Sequence, residues 1–494
     1  MKKIYILIIG LFCILTYSCV KDKNQFKPDL ATPVVNGFEK TYSVYTFQDV
    51  LKINPTVANE SDYDYFWTLF TSNYTPSAGV VPRGDTLSRT KDLTYEVKVN
   101  PGDYFLVFNV KNKKTGITQM ISSNVSVSTL TMNGWYLLKD DGVNTDFDFI
   151  HANGRIDNWM AHFNGGQSLL GKSVKSIFSS GFKTGINSNE LFNVLVVLSD
   201  KDAGIYRIDN GKKLMGFENM FFTTPAVRKP QNILQPMGNN YLNLINDGKV
   251  YTMVKGAYFA DPPIANFKVA PVAAIGAMGI AFDDNSKSII GINDANYYPL
   301  GAHADLIKNL DAEIVWMAGY PAVRNVAIAL FRKKNGEGYL ARLNTSYGQF
   351  TGPPSPNNAA LVRDTKTVPQ AHGLMSADII GGNYDSDYIY YAKENKVYLT
   401  DAVSLQETLE FALPVGETVT CIQHIKYPQP AGNVEKYTTD YLVIASYVAG
   451  KYKVWLHKIS TTGTIQTLDK PNFEGQGKVT SINYMEKGSG SRTF

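Results

Sequence analysis

From Gly134 onward, short polar corners return at intervals of about 40 to 60 residues between apolar, strand-like runs. They are Asp140-Asp-Gly142, Asp200-Lys-Asp-Ala-Gly204, Asn246-Asp-Gly248, Asp283-Asp-Asn285, Lys334-Asn-Gly336, Lys393-Glu-Asn395 and Ala449-Gly450. Asn, Asp and Gly tolerate the positive φ that tight hairpin turns require, so each corner marks a β-hairpin. Several share a short grammar, as in Tyr206-Arg-Ile-Asp-Asn-Gly-Lys212, Asn246-Asp-Gly-Lys-Val-Tyr251 and Asn395-Lys-Val-Tyr-Leu399. One four-stranded sheet per interval gives a β-propeller over 130–494, with about seven blades and with six or eight also compatible. WD and kelch signatures are absent from the sequence. Val479-Thr-Ser-Ile-Asn-Tyr484 is expected to pair in the blade opened by Trp135-Tyr-Leu-Leu138, closing the ring and removing a free sheet edge. The apolar run Val269 to Phe282 is too short for a membrane helix and carries Pro271, Gly276 and Gly279, so it reads as a connection plus an inner strand.

Composition agrees with an all-β chain: 30 Tyr, 25 Phe and 40 Gly among 494 residues suit half-buried pleated surfaces joined by turns. The length favours two domains. Ahead of the propeller, Tyr63, Tyr65, Trp67 and Leu69 alternate on one face. Leu93, Tyr95, Val97 and Val99 do the same, and after a turn at Pro101-Gly102 so do Tyr104, Leu106, Phe108 and Val110. With Val125 and Val127 closing the pattern, residues 41–129 are expected to form an immunoglobulin-like sandwich around Trp67.

Three stretches carry a family resemblance: Asp62-Tyr-Asp-Tyr-Phe-Trp67, Leu93-Thr-Tyr-Glu-Val97, and the run Pro101-Gly-Asp-Tyr-Phe-Leu-Val-Phe-Asn-Val-Lys-Asn-Lys-Lys-Thr-Gly116. Together they resemble the PKD-like domain of surface lipoproteins from Gram-negative gut anaerobes. The resemblance covers about a fifth of the chain and implies a spacer or docking module.

The N-terminus has the shape of a secretory signal: Lys2 and Lys3, then an apolar segment from Ile4 to Tyr17, ending at Ser18-Cys19. This end resembles the lipobox of bacterial lipoproteins, which implies removal of 1–18 and lipidation of Cys19, with 19–40 as a lipidated tether. Acyl chains there would anchor the chain to a membrane surface, each buried methylene adding about 0.8 kcal/mol. Cys13 then lies in the removed segment, so Cys421 is the one remaining free thiol of three cysteines. Flanked by Val419 and Ile422, it reads as a small buried hydrophobe, with His424 on the other face of its strand.

Charge gives no partner class. The formal net charge of +4 carries no basic stripe of the kind nucleic acid requires. The six histidines are scattered outside any His-Glu-x-x-His or Cys-x-x-Cys pattern, so no metal or other cofactor is expected. Asp140-Asp-Gly-Val-Asn-Thr-Asp-Phe-Asp148 is rich in carboxylates but lacks EF-hand spacing, and reads as a solvated hairpin turn. No Gly-x-Ser-x-Gly elbow occurs, and no catalytic residue can be named. Binding is assigned to connections that combine aromatic rings with cations: Asn293 to His303, Ala318 to Arg324, and Phe221 to Pro230. The candidate contact residues are Tyr297, Tyr298, His303, Tyr320, Arg324 and Arg228.

The assembled order of lipobox, PKD-like domain and propeller is similar to accessory lipoproteins of TonB-dependent outer-membrane importers of the starch-utilisation type. That likeness implies a lipid-anchored protein of the outer membrane, exposed at the cell surface, which partners a transporter and its lid lipoprotein. A glycan or peptide would be its ligand and nucleic acid would not. The alternatives from other classes are a propeller hydrolase or lyase acting on the imported polymer, and a purely structural scaffold of the importer.

Overall fold

The computed structural model describes residues 33–46, 49–72, 84–235, 242–254, 256–262, 266–275, 279–293, 296–298, 305–320, 326–344, 362–383, 385–427, 438–486, 489–490 and 492–493. The chain divides into two compact units, Met1–Val127 and Ser128–Phe494. Almost every regular element is a strand.

The first unit is a sandwich. A five-stranded antiparallel sheet is ordered Thr41–Tyr45, Thr118–Ser128, Gly102–Asn112, Tyr63–Thr71 and Asp85–Ser88. Val50–Ile53 and Leu93–Glu96 form a separate two-stranded sheet. The four alternating sets converge on one core, in which Trp67 stacks on Phe108 with centroids 4.4 Å apart. Trp67 is fully buried, and its indole N–H donates to the Thr90 and Lys91 carbonyls, so its polar atom is satisfied inside an apolar cluster. Leu93–Glu96 pairs with Val50–Ile53, so the corner at Pro101–Gly102 carries the chain from one sheet to the other instead of closing a hairpin. Two strands with the same inward alternation can share one core from opposite sides, and alternation alone does not tell the two arrangements apart.

The second unit is a β-propeller. Among the described residues it has seven antiparallel sheets of four or more strands. Their inner strands are Lys478–Glu486 in the first blade, then Ser173–Phe182, Pro230–Leu234, Val269–Ile275, Ala312–Tyr320, Ile379–Gly382 and Thr418–Tyr427. Each packs against the next, and the last returns to the first, so the ring is closed. Every one of the seven polar corners lies at the hairpin between the second and third strands of a blade. Four of these hairpins use positive φ at a non-glycine residue, Asp247, Lys287, Glu394 and Ala449, and others use glycines. The first blade takes its inner strand from the C-terminal region: Trp135 pairs with Tyr484 and Leu137 with Ile482. The apolar run Val269 to Phe282 supplies the inner strand Val269–Ile275 and also the second strand Gly279–Asp283, where a connection plus one strand was expected. Gly279 lets Leu234 pack directly on the start of the second strand, where a Cβ would lie 2.7 Å from Leu234 Cδ1. No helix among the described residues is long and apolar enough to cross a membrane.

The carboxylate-rich stretch departs from its reading as a solvated turn. Asp141, Gly142 and Val143 form the exposed corner; Asp140, Asp146 and Asp148 point inward. Asp140 Oδ2 accepts from Ser173 N and Oγ, which lie on the next blade. Asp146 accepts from the backbone N–H groups of Phe147, Met160 and Ala161, capping the short helix Trp159–Phe163. Burial nevertheless pushes its carboxyl up to about 6.

Candidate central channel

The seven inner strands enclose a cavity of about 370 Å³ on the propeller axis, to which every blade contributes lining. Small residues keep it open. Gly381 packs its Cα against Ile422, where a Cβ would come within 2.6 Å of the Ile422 carbonyl oxygen, and Gly382 lies beneath the Trp316 ring. The wall is mixed: Ile177, Val272 and Ile380 are apolar, Trp316 offers an indole, and Asn232, Gln423 and Asn483 offer amides.

Most of these amides also tie neighbouring blades together. Asn232 Nδ2 donates to the Pro271 carbonyl at 2.9 Å, Asn483 Nδ2 to Ser176 Oγ at 2.6 Å, and Gln423 Oε1 accepts from Ile482 N at 2.8 Å. The wall is therefore rigid as well as polar.

Among the described residues, Lys175 is the one charged side chain in the lining. It stands near the start of the second blade's inner strand, half-buried, and its Nζ donates to Asn232 Oδ1 at 3.0 Å. Among the described residues no carboxylate pairs with it. Burial without a compensating charge lowers its ammonium to about 8.

A second polar cluster lies between the sixth and seventh blades. His424 Nε2 is 2.9 Å from Asp440 Oδ1, and Lys426 Nζ is 2.6 Å from Asp385 Oδ2 and 3.1 Å from Asp440 Oδ2. Asp385, His424 and Asp440 have the spacing of metal ligands, but Lys426 already places its ammonium between the two carboxylates. Burial by itself would lower Lys426, and the two carboxylates outweigh it and raise the ammonium. Cys421 faces the opposite way, into the apolar contact with the first blade, where burial raises its thiol to about 12. That pattern is structural: the cysteine is inert and the histidine belongs to an ion-paired seam.

The residues singled out from sequence are dispersed. Tyr297 and Tyr298 lie on Asn296–Tyr298, the outermost strand of the fourth blade, and Tyr320 ends the inner strand of the fifth. Cys19, His303 and Arg324 lie outside the described residues. Arg228 sits in the segment linking the second and third blades, 3.2 Å from Asp202 Oδ1, paired with Glu218, and 4.8 Å above the Phe217 ring. Lys175, Asn232, Trp316, Gln423 and Asn483 escaped sequence reading because each comes from a different blade and none belongs to a local motif. The one available signal was a lysine inside the apolar strand Val174-Lys-Ser-Ile-Phe178.

Residues 19–172 match the PKD-like family. The N-terminal part of this chain is PKD-like. The match spans the sandwich and runs on into the first blade. Among solved structures, the chain is similar to a quinonprotein alcohol dehydrogenase-like protein from Bacteroides thetaiotaomicron, at 14% identity and a TM-score of 0.40, covering 92% of this chain and 99% of that one. It is similar to a DUF4784 family protein from Bacteroides caccae at 10% identity and a TM-score of 0.27, covering 92% and 98%. The WD40 domain of SCAP from fission yeast is similar at 11% identity and a TM-score of 0.32, covering 65% and 86%. No curated protein matches.

Proposed function

We propose that this protein is a lipid-anchored binding protein of the outer-membrane surface, serving a TonB-dependent importer as an accessory subunit that captures a glycan or peptide. The observation that carries the binding role is the axial cavity, whose indole, amides and ammonium are recognition groups held on a rigid wall. The Lys2-Lys3, apolar and Ser18-Cys19 succession supports the anchor, and the PKD-like unit supports a spacer between anchor and propeller. Gentle detergent extraction of the tagged protein, with mass spectrometry of its partners and protease shaving of intact cells, tests the reading. A TonB-dependent transporter and its lid lipoprotein should co-purify, and the propeller should be cleaved from outside. Recovery of the protein alone, shielded from external protease, would sink the importer role. Release of shortened polymer by the purified chain would replace binding with the hydrolase or lyase alternative.

A further inference from the structure

We propose that the axial cavity binds a small, singly charged carboxylate-bearing molecule, such as a sugar acid, whose anionic group pairs with the Lys175 ammonium. The proposal rests on the binding-protein reading and narrows its ligand.

The fold gives its other inward-held lysines carboxylate partners. Lys139 meets Asp148 at 2.7 Å, Lys426 meets Asp385 and Asp440, and Lys453 pairs with Glu417. Each charge withdrawn from water has been given an opposite charge, as the cost of desolvation demands. Lys175 is the exception. Its hydrogen-bond partner among the described residues is a neutral amide, and that amide oxygen also accepts from Ile233 N at 2.8 Å. A cation so placed opposes folding unless something else gains from it.

The cavity supplies the something else. About 370 Å³ lies toward the small end of the ~300–1,000 Å³ typical of small-molecule sites, which suits one compact ligand and excludes a folded partner. One ammonium neutralises one negative charge. A phosphate dianion would call for further cations or a guanidinium fork, and among the described residues Lys175 is the only charged lining group. The remaining polar groups are the amides of Asn232, Gln423 and Asn483, suited to hydroxyls, and the Trp316 indole, suited to the apolar face of a sugar ring. A carboxylate carried on a hydroxylated ring matches all three kinds of group.

The test is trace acetylation of the full chain across pH with isotope-labelled acetic anhydride, read lysine by lysine by peptide mass spectrometry, with glucuronate, acetate or glucose present. Lys175 should label with a midpoint near 8, since the free amine is the reactive form and no other titratable side chain among the described residues lines the cavity. Glucuronate should raise that midpoint and slow labelling at pH 8 about fivefold, the change in free amine at that pH when the midpoint moves up by one pKa unit, with acetate acting more weakly and glucose not at all. Lys175→Met should abolish the thermal stabilisation that glucuronate gives the parent, while Lys175→Arg should retain part of it. Equal protection by glucose and glucuronate would overturn the charge pairing but keep a saccharide site. No protection by any of the three would overturn the inference outright. Because the importer reading is tested by co-purification, which Lys175→Met should leave intact, the two can fail separately.

Discussion

Two inward-held charges in this propeller are treated in opposite ways. Asp148, on the first blade, is fully enclosed and fully used: Lys139 Nζ lies 2.7 Å from one oxygen, and Arg155 and Tyr452 Oη lie 2.8 and 2.7 Å from the other. Asn158 N adds a backbone donor. Tyr452 belongs to the seventh blade, and Arg155 also donates to the Glu474 carbonyl there, so the network latches the last blade onto the first. Lys175 has one neutral partner and looks into open space. A carboxylate with every lone pair occupied is explained by the fold. An ammonium with none of its charge offset is not, and that contrast separates what holds the ring together from what the ring holds.

The comparison can be broken most severely at the seam. Removing the chain from Lys478 onward deletes the first blade's inner strand, and cooperative unfolding of the propeller should be lost in calorimetry. The Trp67 core, built entirely within the first unit, should keep its near-UV signal. Asp148→Ala should be next in size. It strands Lys139, Arg155 and Tyr452 around a vacated centre, and a loss of about 3–5 kcal/mol in urea unfolding is expected. A loss under about 1 kcal/mol would mean that the latch is dispensable.

Lys175→Met should act in the opposite direction. The folded state holds the Lys175 proton less tightly than the unfolded chain does, with about 8 against 10.5. The resulting penalty is therefore fully present below about pH 8 and relieved as pH rises towards 10.5. At pH 7 the variant should be more stable than the parent by about 1–3 kcal/mol, allowing for the part of the side chain that solvent reaches. The gap should close by about pH 10.5, as followed by urea titration at each pH. Destabilisation at pH 7 would show that Lys175 is a structural tie to Asn232. Arg228→Ala should be the mildest change, about 0.5–1 kcal/mol, because its ion pairs and its stacking on Phe217 lie at the surface.

Much of the architecture was written locally. All seven corners fall at the same hairpin of successive blades, since each is a turn whose chemistry is complete within a few residues. The alternation around Trp67 marked the sandwich core, and Val479 to Tyr484 found its partner strand because both carry inward apolar residues at matching positions. Sheet membership was harder: Leu93–Glu96 alternates as its neighbours do yet joins the other sheet. The stretch Asp140 to Asp148 looked exposed because aspartates next to a glycine usually are. Its burial depends on Ser173, Arg155, Tyr452 and a short helix that no local pattern announces.

Sequence by itself thus determined the strand-and-turn rhythm, the two-unit order and the PKD-like character of the N-terminal part, all of which rest on periodicity or on short contiguous motifs. Tertiary structure alone decided the channel. Its wall takes residues from all seven inner strands, from Val174 to Asn483, and only ring closure sets Lys175 beside Asn232 with no carboxylate among the described residues paired to it. A charge acquires its meaning from its neighbours in space, and for Lys175 those neighbours come from other blades.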